Sequence, residues 1–336
     1  MTKPLDITAL SVRVDAELRA VFGTRDMLLY RMMTYHLGWA DRQGGPVPGG
    51  PPPRLHGVAC LAACQAAGGD MEKAMPAAAA VEMVNCFVEI HDDVQSGRPY
   101  RGAREAVWSV WGPAQAINAG DGMHALARLA LLRLMERGVS PETAFRATKL
   151  LDHAALALCE GRFQDMEAQE RLDMPVAAYL KMAEGKSGAL LACAMQLGAL
   201  AAGGGEAVLS AMAACGAKTG IALQVQGDLR ELWGGGDGAS VAIEVLNKKK
   251  LLPVAYALEK AALREKRRIG DIYFKRVLQP DDVAAVRQIV EGLGARDFCE
   301  GLVKQHHADA LAALSAAGLP EPGVRTMQSF TASLLG

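Results

Sequence analysis

Apolar residues recur at the three- and four-residue spacing of an α-helix through almost the whole chain, and alternating strand-like patterns are rare. Of the 336 residues, 51% are hydrophobic but only 5% are aromatic, so the apolar content comes mainly from Ala, Leu, Val and Met. Ala, Leu and Met are strong helix formers. The sequence therefore predicts an all-α protein with a large buried core.

Charge and cysteine content exclude several classes of protein. The 36 Lys and Arg residues balance 37 Asp and Glu residues, so no net positive charge points to nucleic-acid binding. The seven cysteines are scattered through apolar stretches without a paired zinc-type spacing, which indicates reduced, buried thiols in a cytoplasmic protein. Acidic residues near the start of the chain argue against a secretory signal.

Clusters of proline and glycine divide the chain into segments. Residues 44–54 (GGPVPGGPPPR) cannot be helical, and they predict a loop between N-terminal helices in residues 1–43 and a helical body in residues 55–336. A second break is predicted at residues 234–240 (GGGDGAS), and shorter breaks bring the total to about ten to twelve helices. Because apolar helices resume on both sides of each break, we expect one helical-bundle domain spanning residues 1–336.

One apolar stretch tests this prediction. Residues Ser187 to Gly205 carry no charge and approach the length of a membrane span. The Ala and Gly content of the stretch and the polar Gln196 favour a buried core helix instead. We therefore expect no membrane span.

Two acidic clusters interrupt the apolar helical segments. In the first, Glu89, Asp92 and Asp93 are three and four residues apart and project from one helical face. In the second, Asp228 and Glu231 are three residues apart. Carboxylates that face each other across a bundle core suit Mg²⁺, which keeps several waters and is completed by substrate phosphates. A solvated acidic face would explain either cluster alone equally well.

These clusters stand among further motifs whose order resembles the trans-isoprenyl diphosphate synthase family, from about Gly50 to Pro253. Members of this family are all-α and bind allylic diphosphates through two aspartate-rich motifs. The resemblance implies an isoprenoid-synthase-type helical bundle and a homodimer. The matching segments are Glu82–Ser96 with DDVQS as the first aspartate-rich motif, Trp108, Trp111–Asp121, Tyr179, Lys186–Gly188, Gln224–Glu231 as the second motif, and Lys249–Pro253.

The resemblance also implies roles for individual residues toward an allylic diphosphate of C10 to C20. Stabilising the charge of the departing diphosphate lowers the barrier to ionisation. The carboxylates expected to hold two or three Mg²⁺ ions, and to be catalytic together with Lys186, are those of Asp92, Asp93, Asp228 and Glu231. The groups expected to contact this diphosphate are Arg101, Lys186, Gln224 and Lys249, and the other residues expected to bind substrate are Arg54 and Phe87.

Each of the two metal motifs has fewer aspartates than the corresponding motif of the family. Ser96 and Gly227 stand where the motifs carry aspartates. Glu89, one turn before Asp92, occupies a position that is usually apolar in the family. One hypothesis is that Glu89 replaces the lost carboxylate or lies beside the allylic cation; the alternative is a side chain turned to solvent or paired with a lysine.

Phe87 bears on product length. It lies five residues before Asp92, about 7.5 Å along a helix at about 1.5 Å per residue. An aromatic side chain at that depth would form the floor of a hydrocarbon tunnel, and in the family this resembles the enzymes with short products. An ordinary core aromatic explains the residue equally well.

Other departures concern the second substrate of the family, isopentenyl diphosphate. The family binds it through a GKxxRP-like motif, the second Arg of an RR pair and a His before the first aspartate motif. Here those positions hold Pro51, Gly102 and Asn85, and only Arg54 is retained. Losing two or three charge-assisted contacts of roughly 1.5 to 3 kcal/mol each would weaken binding about a thousandfold or more.

The favoured prediction is therefore a Mg²⁺-dependent terpene synthase, a carbon–oxygen lyase that ionises one allylic diphosphate and quenches the cation by cyclisation, deprotonation or water. One alternative is a prenyltransferase, either a polyprenyl diphosphate synthase with a rebuilt second site or an enzyme with another acceptor. The other is a non-catalytic partner subunit of a prenyl synthase. The retained lysines and carboxylates argue against a pure scaffold, which has no use for buried charge.

Overall fold

The computed structural model describes residues 5–48, 52–234, 242–315 and 317–335. This part of the chain forms sixteen α-helices and one antiparallel hairpin of two short strands, β1 (Tyr100–Arg101) and β2 (Arg104–Glu105). The all-α prediction is confirmed, with more helices than the ten to twelve expected. The predicted breaks at 44–54 and 234–240 lie partly outside the described residues, as does Pro51.

The helices follow one another with short connections. The first seven are α1 (Ile7–Phe22), α2 (Leu28–His36), α3 (Leu55–Ala66), α4 (Met71–Gln95), α5 (Val107–Trp111), α6 (Pro113–Leu132) and α7 (Pro141–Gln169). The remaining nine are α8 (Val176–Ala183), α9 (Ala189–Ala201), α10 (Glu206–Trp233), α11 (Ile243–Leu246), α12 (Leu252–Lys260), α13 (Leu263–Tyr273), α14 (Pro280–Gly292), α15 (Ala295–Ser315) and α16 (Glu321–Leu335).

Several helices begin where a side chain accepts a hydrogen bond from the first turn. The Asp6 carboxylate accepts from the Ala9 amide before α1, and the Asp70 carboxylate accepts from the Glu72 amide before α4. Such caps satisfy backbone donors that have no partner within the helix. The long helix α4 carries the first aspartate-rich motif at its C-terminal end, so its cap and its buried Ala-rich middle set where that motif lies.

The chain forms two compact units, each built from separate stretches of sequence. The first unit comprises residues 1–155, 190–214 and 313–330. The second unit comprises residues 156–189, 215–312 and 331–336. Each unit contains one of the two acidic clusters. The expectation of a single domain over residues 1–336 stays a prediction.

The apolar stretch from Ser187 to Gly205 contains α9, most of whose side chains are buried, as predicted for a core helix. Among the described residues, only α10 is long and apolar enough to cross a membrane by length and composition. Of its apolar window, 56% is buried inside the protein. Burial of this kind is typical of core helices that pass the same test.

Small residues let helices of the first unit pack backbone against backbone. A Cβ atom added to Gly198 of α9 would lie 1.9 Å from the carbonyl oxygen of Cys60 in α3, and 2.9 Å from the amide nitrogen of Cys64. The thiols of Cys60 and Cys64 are buried. All seven cysteines are free, and only Cys159 is exposed. The prediction of reduced, mostly buried thiols is confirmed.

The close approach at Gly198 predicts a large effect of one methyl group. Because no rotamer can relieve a clash with backbone, we expect Gly198→Ala to lower the free energy of unfolding by about 1 to 3 kcal/mol or more. The matched control is Gly301→Ala in α15, where an added Cβ meets no atom within 4 Å. There, alanine should stabilise the helix by roughly 0.5 to 1 kcal/mol. Urea denaturation of both variants measures the difference, and equal midpoints would contradict this account.

Candidate functional site

The first acidic cluster lies at the C-terminal end of α4, where Asp93 is almost fully buried. The Arg101 guanidinium of β1 donates two hydrogen bonds to the Asp93 carboxylate, at 2.8 Å and 3.1 Å. Burial raises the pKa of the Asp93 carboxyl, although Arg101 opposes that shift. A bidentate pair of this kind sets the orientation of both groups. The structure thus joins two predicted site residues directly.

Asp92, the neighbouring carboxylate, is 7% exposed. Its Oδ1 accepts a hydrogen bond of 3.1 Å from the Ser96 hydroxyl, and its Oδ2 lies 3.8 Å from Arg98. Among the described residues, no group of three or more Asp, Glu, His or Cys side chains is arranged to hold a metal ion. Two adjacent carboxylates still fit Mg²⁺, because this ion takes one or two protein carboxylates and fills its other positions with water and phosphate.

Glu89 lies one turn earlier on α4 and is bound on both sides. Its Oε2 lies 3.2 Å from His36 Nε2, and its Oε1 lies 3.4 Å from Arg101 Nη1. Burial alone would raise the pKa of Glu89, but the hydrogen bond from His36 and the charge of Arg101 outweigh it and lower the pKa to about 2. The Glu89 side chain, which is 33% exposed, is therefore paired with His36 and Arg101 rather than with a lysine, and its role beside a metal or the allylic cation stays a prediction. His36 is a partner that the sequence motifs did not indicate.

A cavity of about 340 Å³ opens beside this cluster in the first unit. It contains residues that motif comparison assigned to a second diphosphate, together with residues from segments that carry no family motif. The first group is Arg54 and Asn85, and Arg101, which motif comparison assigned to the allylic diphosphate, also lines the cavity. The second group includes Tyr35, His36 and Arg104. Motif comparison missed the second group because these side chains reach the cavity only through the packing of α2 and the β-hairpin.

The arginines of this cavity are already bound within the protein. Arg54 is buried and donates to Asp15 Oδ1 and to the Leu37 carbonyl oxygen, both at 2.7 Å. Arg104 donates to the Ala40 carbonyl oxygen at 2.9 Å, and its guanidinium lies 4.3 Å from the centre of the Tyr35 ring. With Arg101 bound to Asp93, all three guanidiniums have internal partners. The positive charge available to a second diphosphate is correspondingly reduced.

Glu82 is a further carboxyl of the cavity wall, and it is 3% exposed. Its Oε1 accepts a hydrogen bond of 2.8 Å from the Gly57 amide. Burial raises the pKa of Glu82 to about 7, although the Gly57 hydrogen bond and the charge of Arg54 oppose the shift. Near neutral pH this side chain therefore changes between a neutral and a charged form inside the wall of the cavity.

Phe87 is placed on a different face of α4 from the cavity. Its ring centre lies 4.7 Å from that of His91 and 5.1 Å from that of His124 in α6. The residue is partly buried between these two imidazoles. Its predicted role as the floor of a hydrocarbon tunnel stays a prediction.

The second acidic cluster lies in the second unit, where Asp228 of α10 is 3% exposed. Its Oδ2 accepts hydrogen bonds from the Tyr179 hydroxyl at 2.5 Å and from the Leu252 amide at 2.7 Å. Its Oδ1 accepts from the Gln224 amide group at 3.0 Å. Burial raises the pKa of Asp228 to about 6, although these hydrogen bonds oppose the shift. Both oxygens are therefore held by donors within the protein.

The second motif fits a metal less well than the first. Gly227 offers no side chain, and Asp228 would have to release hydrogen bonds before either oxygen could bind an ion. Glu231 Oε1 accepts a hydrogen bond of 3.0 Å from the Glu244 amide at the start of α11. The predicted metal-binding roles of Asp228 and Glu231 stay predictions, and this arrangement supports a positioning role instead.

A group of cations surrounds Asp165 of α7, which is 7% exposed. Its Oδ2 lies 2.8 Å from Lys186 Nζ, 3.7 Å from Lys249 Nζ and 3.9 Å from Arg162 Nη1. Burial alone would raise the pKa of Asp165, but the two lysines outweigh it and lower the pKa. Glu244 lies 2.5 Å from Lys249. Three cations thus gather around one carboxylate oxygen, and a cluster of this kind can contact an anionic ligand.

Local backbone geometry positions Lys186 in this group. The residue lies in a π-helical turn, Glu184–Gly188, between α8 and α9, and such turns are frequent at functional sites. A Cβ atom on Gly161 would lie 2.6 Å from the Lys186 amide nitrogen, and one on Gly220 would lie 2.4 Å from the Ser187 carbonyl oxygen. Glycine at these two positions therefore allows α7 and α10 to pack directly against the turn.

Comparison with known proteins identifies the family of this chain. The family model described as polyprenyl synthetase matches residues 50–291. The chain belongs to the polyprenyl synthetase family. Among its relatives, a geranylgeranyl diphosphate synthase of Mycobacterium tuberculosis is 34% identical over 90% of this chain and 84% of its own length. A (2E,6E)-farnesyl diphosphate synthase of the same organism is 31% identical, over 93% and 87% respectively.

Solved structures of the family have the same fold. A polyprenyl synthetase from Streptomyces coelicolor A3(2) superposes with a TM-score of 0.88, at 31% identity, over 98% of this chain and 100% of its own. A polyprenyl synthase from Caulobacter crescentus CB15, solved with calcium and isoprenyl diphosphate, gives a TM-score of 0.78 at 24% identity, over 100% and 99% respectively. These matches confirm the predicted isoprenoid-synthase-type helical fold.

The comparisons correct the favoured functional prediction. The relatives are named as synthases of farnesyl and geranylgeranyl diphosphates, which are prenyltransferases, so the prediction of a terpene synthase and carbon–oxygen lyase was wrong. The error came from equating missing motif residues with a missing second site. Arg54 and Asn85, two of the compared positions, line a cavity that also contains Arg104 and His36, which lie outside the motifs that were compared.

The buried Glu82 predicts an unusual pH dependence of stability. Its native pKa of about 7 lies above the ordinary 4.5, so the native state holds a proton that the unfolded chain releases. Stability should therefore fall as pH rises from about 4.5 to 7. Glu82→Gln removes this effect and keeps an acceptor for the Gly57 amide. As pH rises through that window, the free energy of unfolding of the variant relative to wild type should increase by up to about 1.4 kcal/mol per pH unit.

Urea denaturation at several pH values measures this gain. The same change at the exposed Glu142 is the control and should leave the wild-type profile unchanged. Parallel profiles of wild type and Glu82→Gln would show that the pKa of Glu82 is the same in the folded and unfolded states and would refute the prediction.

Proposed function

We propose that the protein is a prenyltransferase that extends an allylic isoprenyl diphosphate of C10 to C20 with isopentenyl diphosphate. The observation that carries this proposal is the cation group around Asp165, in which Lys186, Lys249 and Arg162 lie within 3.9 Å of one carboxylate oxygen and are placed together to contact a diphosphate. The names of the relatives support chain elongation.

The proposed reaction breaks the bond between C1 of the allylic chain and the diphosphate oxygen, and the electron pair leaves with the diphosphate. The double bond of isopentenyl diphosphate then forms a new carbon–carbon bond to the allylic carbon, and a proton is lost. Lys186 and Lys249 would bind the diphosphate as its charge develops. Cations that are already oriented need no rearrangement at that moment, which lowers the barrier.

We propose Mg²⁺ as the metal and Asp92 and Asp93 as the carboxylates that hold it. When bound, Mg²⁺ neutralises charge on the phosphate oxygens. Ser96 holds one oxygen of Asp92, and Arg101 orients Asp93. Asp228 would act chiefly by positioning Tyr179 and Gln224, with which it forms hydrogen bonds.

Changing one lysine tests the proposed function. Incubation with Mg²⁺, isopentenyl diphosphate and geranyl or farnesyl diphosphate should yield a diphosphate longer by five carbons. Lys186→Ala should reduce kcat at least about a hundredfold, since charge-assisted contacts to the leaving group are worth roughly 1.5 to 3 kcal/mol each and are stronger in the transition state. The control is Lys181→Ala, five residues earlier at an exposed position. A hydrocarbon or alcohol formed without isopentenyl diphosphate would overturn the proposal, as would a complete lack of turnover.

Glu89 tests whether the cavity of the first unit receives the second diphosphate. Glu89→Gln removes a negative charge 3.4 Å from Arg101 and so increases the positive charge that Arg101 offers. We expect the KM for isopentenyl diphosphate to fall about fivefold or more, an effect of roughly 1 kcal/mol. The KM for the allylic substrate should change little. Glu136→Gln, at an exposed position, is the control; unchanged KM values in both variants would remove Glu89 from substrate recognition.

We also propose that the protein is a homodimer. The outer face of α6 exposes Ile117, Leu129 and Leu132, and Phe145 on α7 is 72% exposed. Exposed apolar side chains in such number are typical of protein–protein interfaces. Sedimentation velocity should give a dimer for wild type and a monomer for Leu132→Asp with Phe145→Asp. A monomeric wild type would refute this proposal.

A further inference from the structure

The helix α13 has one buried face and one charged face. Ile269, Ile272 and Tyr273 pack into a hydrophobic core of the second unit. At about 100° per residue, the exposed residues of this segment fall within about 140° on the other side. Those residues are Leu263, Arg264, Arg267, Arg268, Asp271, Phe274 and Lys275.

Large apolar side chains project from this same face and from the turn that follows it. Leu263 is 63% exposed, Phe274 is 76% exposed and Val277 is 65% exposed. Phe274 and Val277 flank Lys275 and Arg276 in the turn between α13 and α14. Leu263 and Phe274 are eleven residues apart, which is three helical turns, so they lie along one line of the helix. We call this set of exposed residues, 263–277, the α13 surface.

The charge of the α13 surface is strongly positive although the whole chain has a net charge of -1. Lys275 is paired with Asp282 at 2.6 Å. Within the described part of the chain, the guanidiniums of Arg264, Arg267, Arg268 and Arg276 make no ion pair. Asp271 is the one carboxylate on the exposed face of the helix. Four arginines are thus available to an anionic partner.

Together, these features fit one kind of partner. A helix that presents arginines beside exposed aromatic and aliphatic side chains matches the interface of an anionic bilayer, where the charges meet lipid phosphates and the apolar groups enter the acyl boundary. A nucleic acid would use the arginines and could stack on Phe274, but it offers nothing to Leu263 and Val277. An acidic protein would likewise leave the apolar groups unexplained unless it brought an apolar patch of its own.

We propose that the α13 surface docks the protein reversibly on anionic membranes. The geometry does not depend on prenyl transfer, so this proposal stands or falls independently of the proposed function. If this proposal and the proposed function both hold, the enzyme would release its product, an apolar chain with a diphosphate head group, beside the membrane in which the chain dissolves.

Vesicle flotation tests the proposal with the full-length protein. Wild type should float with vesicles of phosphatidylcholine and phosphatidylglycerol in equal parts, and should remain with the buffer when the vesicles contain phosphatidylcholine alone. Each arginine near an anionic surface contributes about a factor of five to partitioning. We therefore expect Arg267→Ser with Arg268→Ser to weaken binding about thirtyfold, and Phe274→Ser with Val277→Ser to weaken it about tenfold or more.

Two controls separate specific docking from general stickiness and from misfolding. Met27→Ser with Arg325→Ser changes equally exposed side chains of the first unit and should leave flotation unchanged. All altered side chains are at the surface, so circular dichroism melting curves of every variant should match wild type. Turnover of short, water-soluble diphosphates should also be unchanged in the α13 variants.

Three results would overturn the proposal. The first is no flotation of wild type with either kind of vesicle. The second is equal flotation with neutral and anionic vesicles. The third is flotation that depends on the arginines but not on Phe274 and Val277, which would show attraction to any polyanion rather than docking on a bilayer.

Discussion

Burial of carboxylates beside basic partners is the constraint on which the first acidic cluster and the cation group around Asp165 depend. A buried charge without a partner costs several kcal/mol, so each carboxylate must meet a donor when the chain folds. Asp93 meets Arg101 in the first unit, and Asp165 meets Lys186 in the second. These contacts hold the side chains in one arrangement before a substrate arrives, and the backbone contacts at Gly161 and Gly220 position the turn that carries Lys186.

The two clusters use this constraint differently. In the first unit the guanidiniums of Arg54, Arg101 and Arg104 donate hydrogen bonds to carboxylate and carbonyl oxygens. The cavity beside α4 therefore offers little positive charge that is not already neutralised or hydrogen-bonded. In the second unit three cations instead gather around one carboxylate oxygen of Asp165. An anionic ligand is therefore favoured by the cation group around Asp165, whereas Arg101 in the first cluster is held between Asp93 and Glu89.

The mistaken prediction of a terpene synthase shows where motif reasoning fails in this family. Counting conserved-looking contacts treats a binding site as a set of positions in a few motifs. His36 comes from α2 and Arg104 from the β-hairpin, and neither belongs to the compared motifs. A site lined by several elements can lose motif residues and still bind its ligand. The presence of Pro51 and Asn85 at positions where the family has Lys and His therefore did not exclude a second substrate.

Interactions between residues close in sequence were sufficient to predict much of the secondary structure of this protein. The helical spacing of apolar residues, the high Ala and Leu content and the breaks at Pro and Gly predicted the all-α fold, because these properties act within a few residues. The grouping of Asp92 and Asp93 on one helix was predicted as well, since neighbouring positions in sequence need only that helix to lie together. The partners of these groups were decided by the tertiary structure: His36 and Glu89 are 53 residues apart, and Tyr179 and Asp228 are 49 residues apart. No periodicity connects such pairs, because the packing of whole helices brings them together.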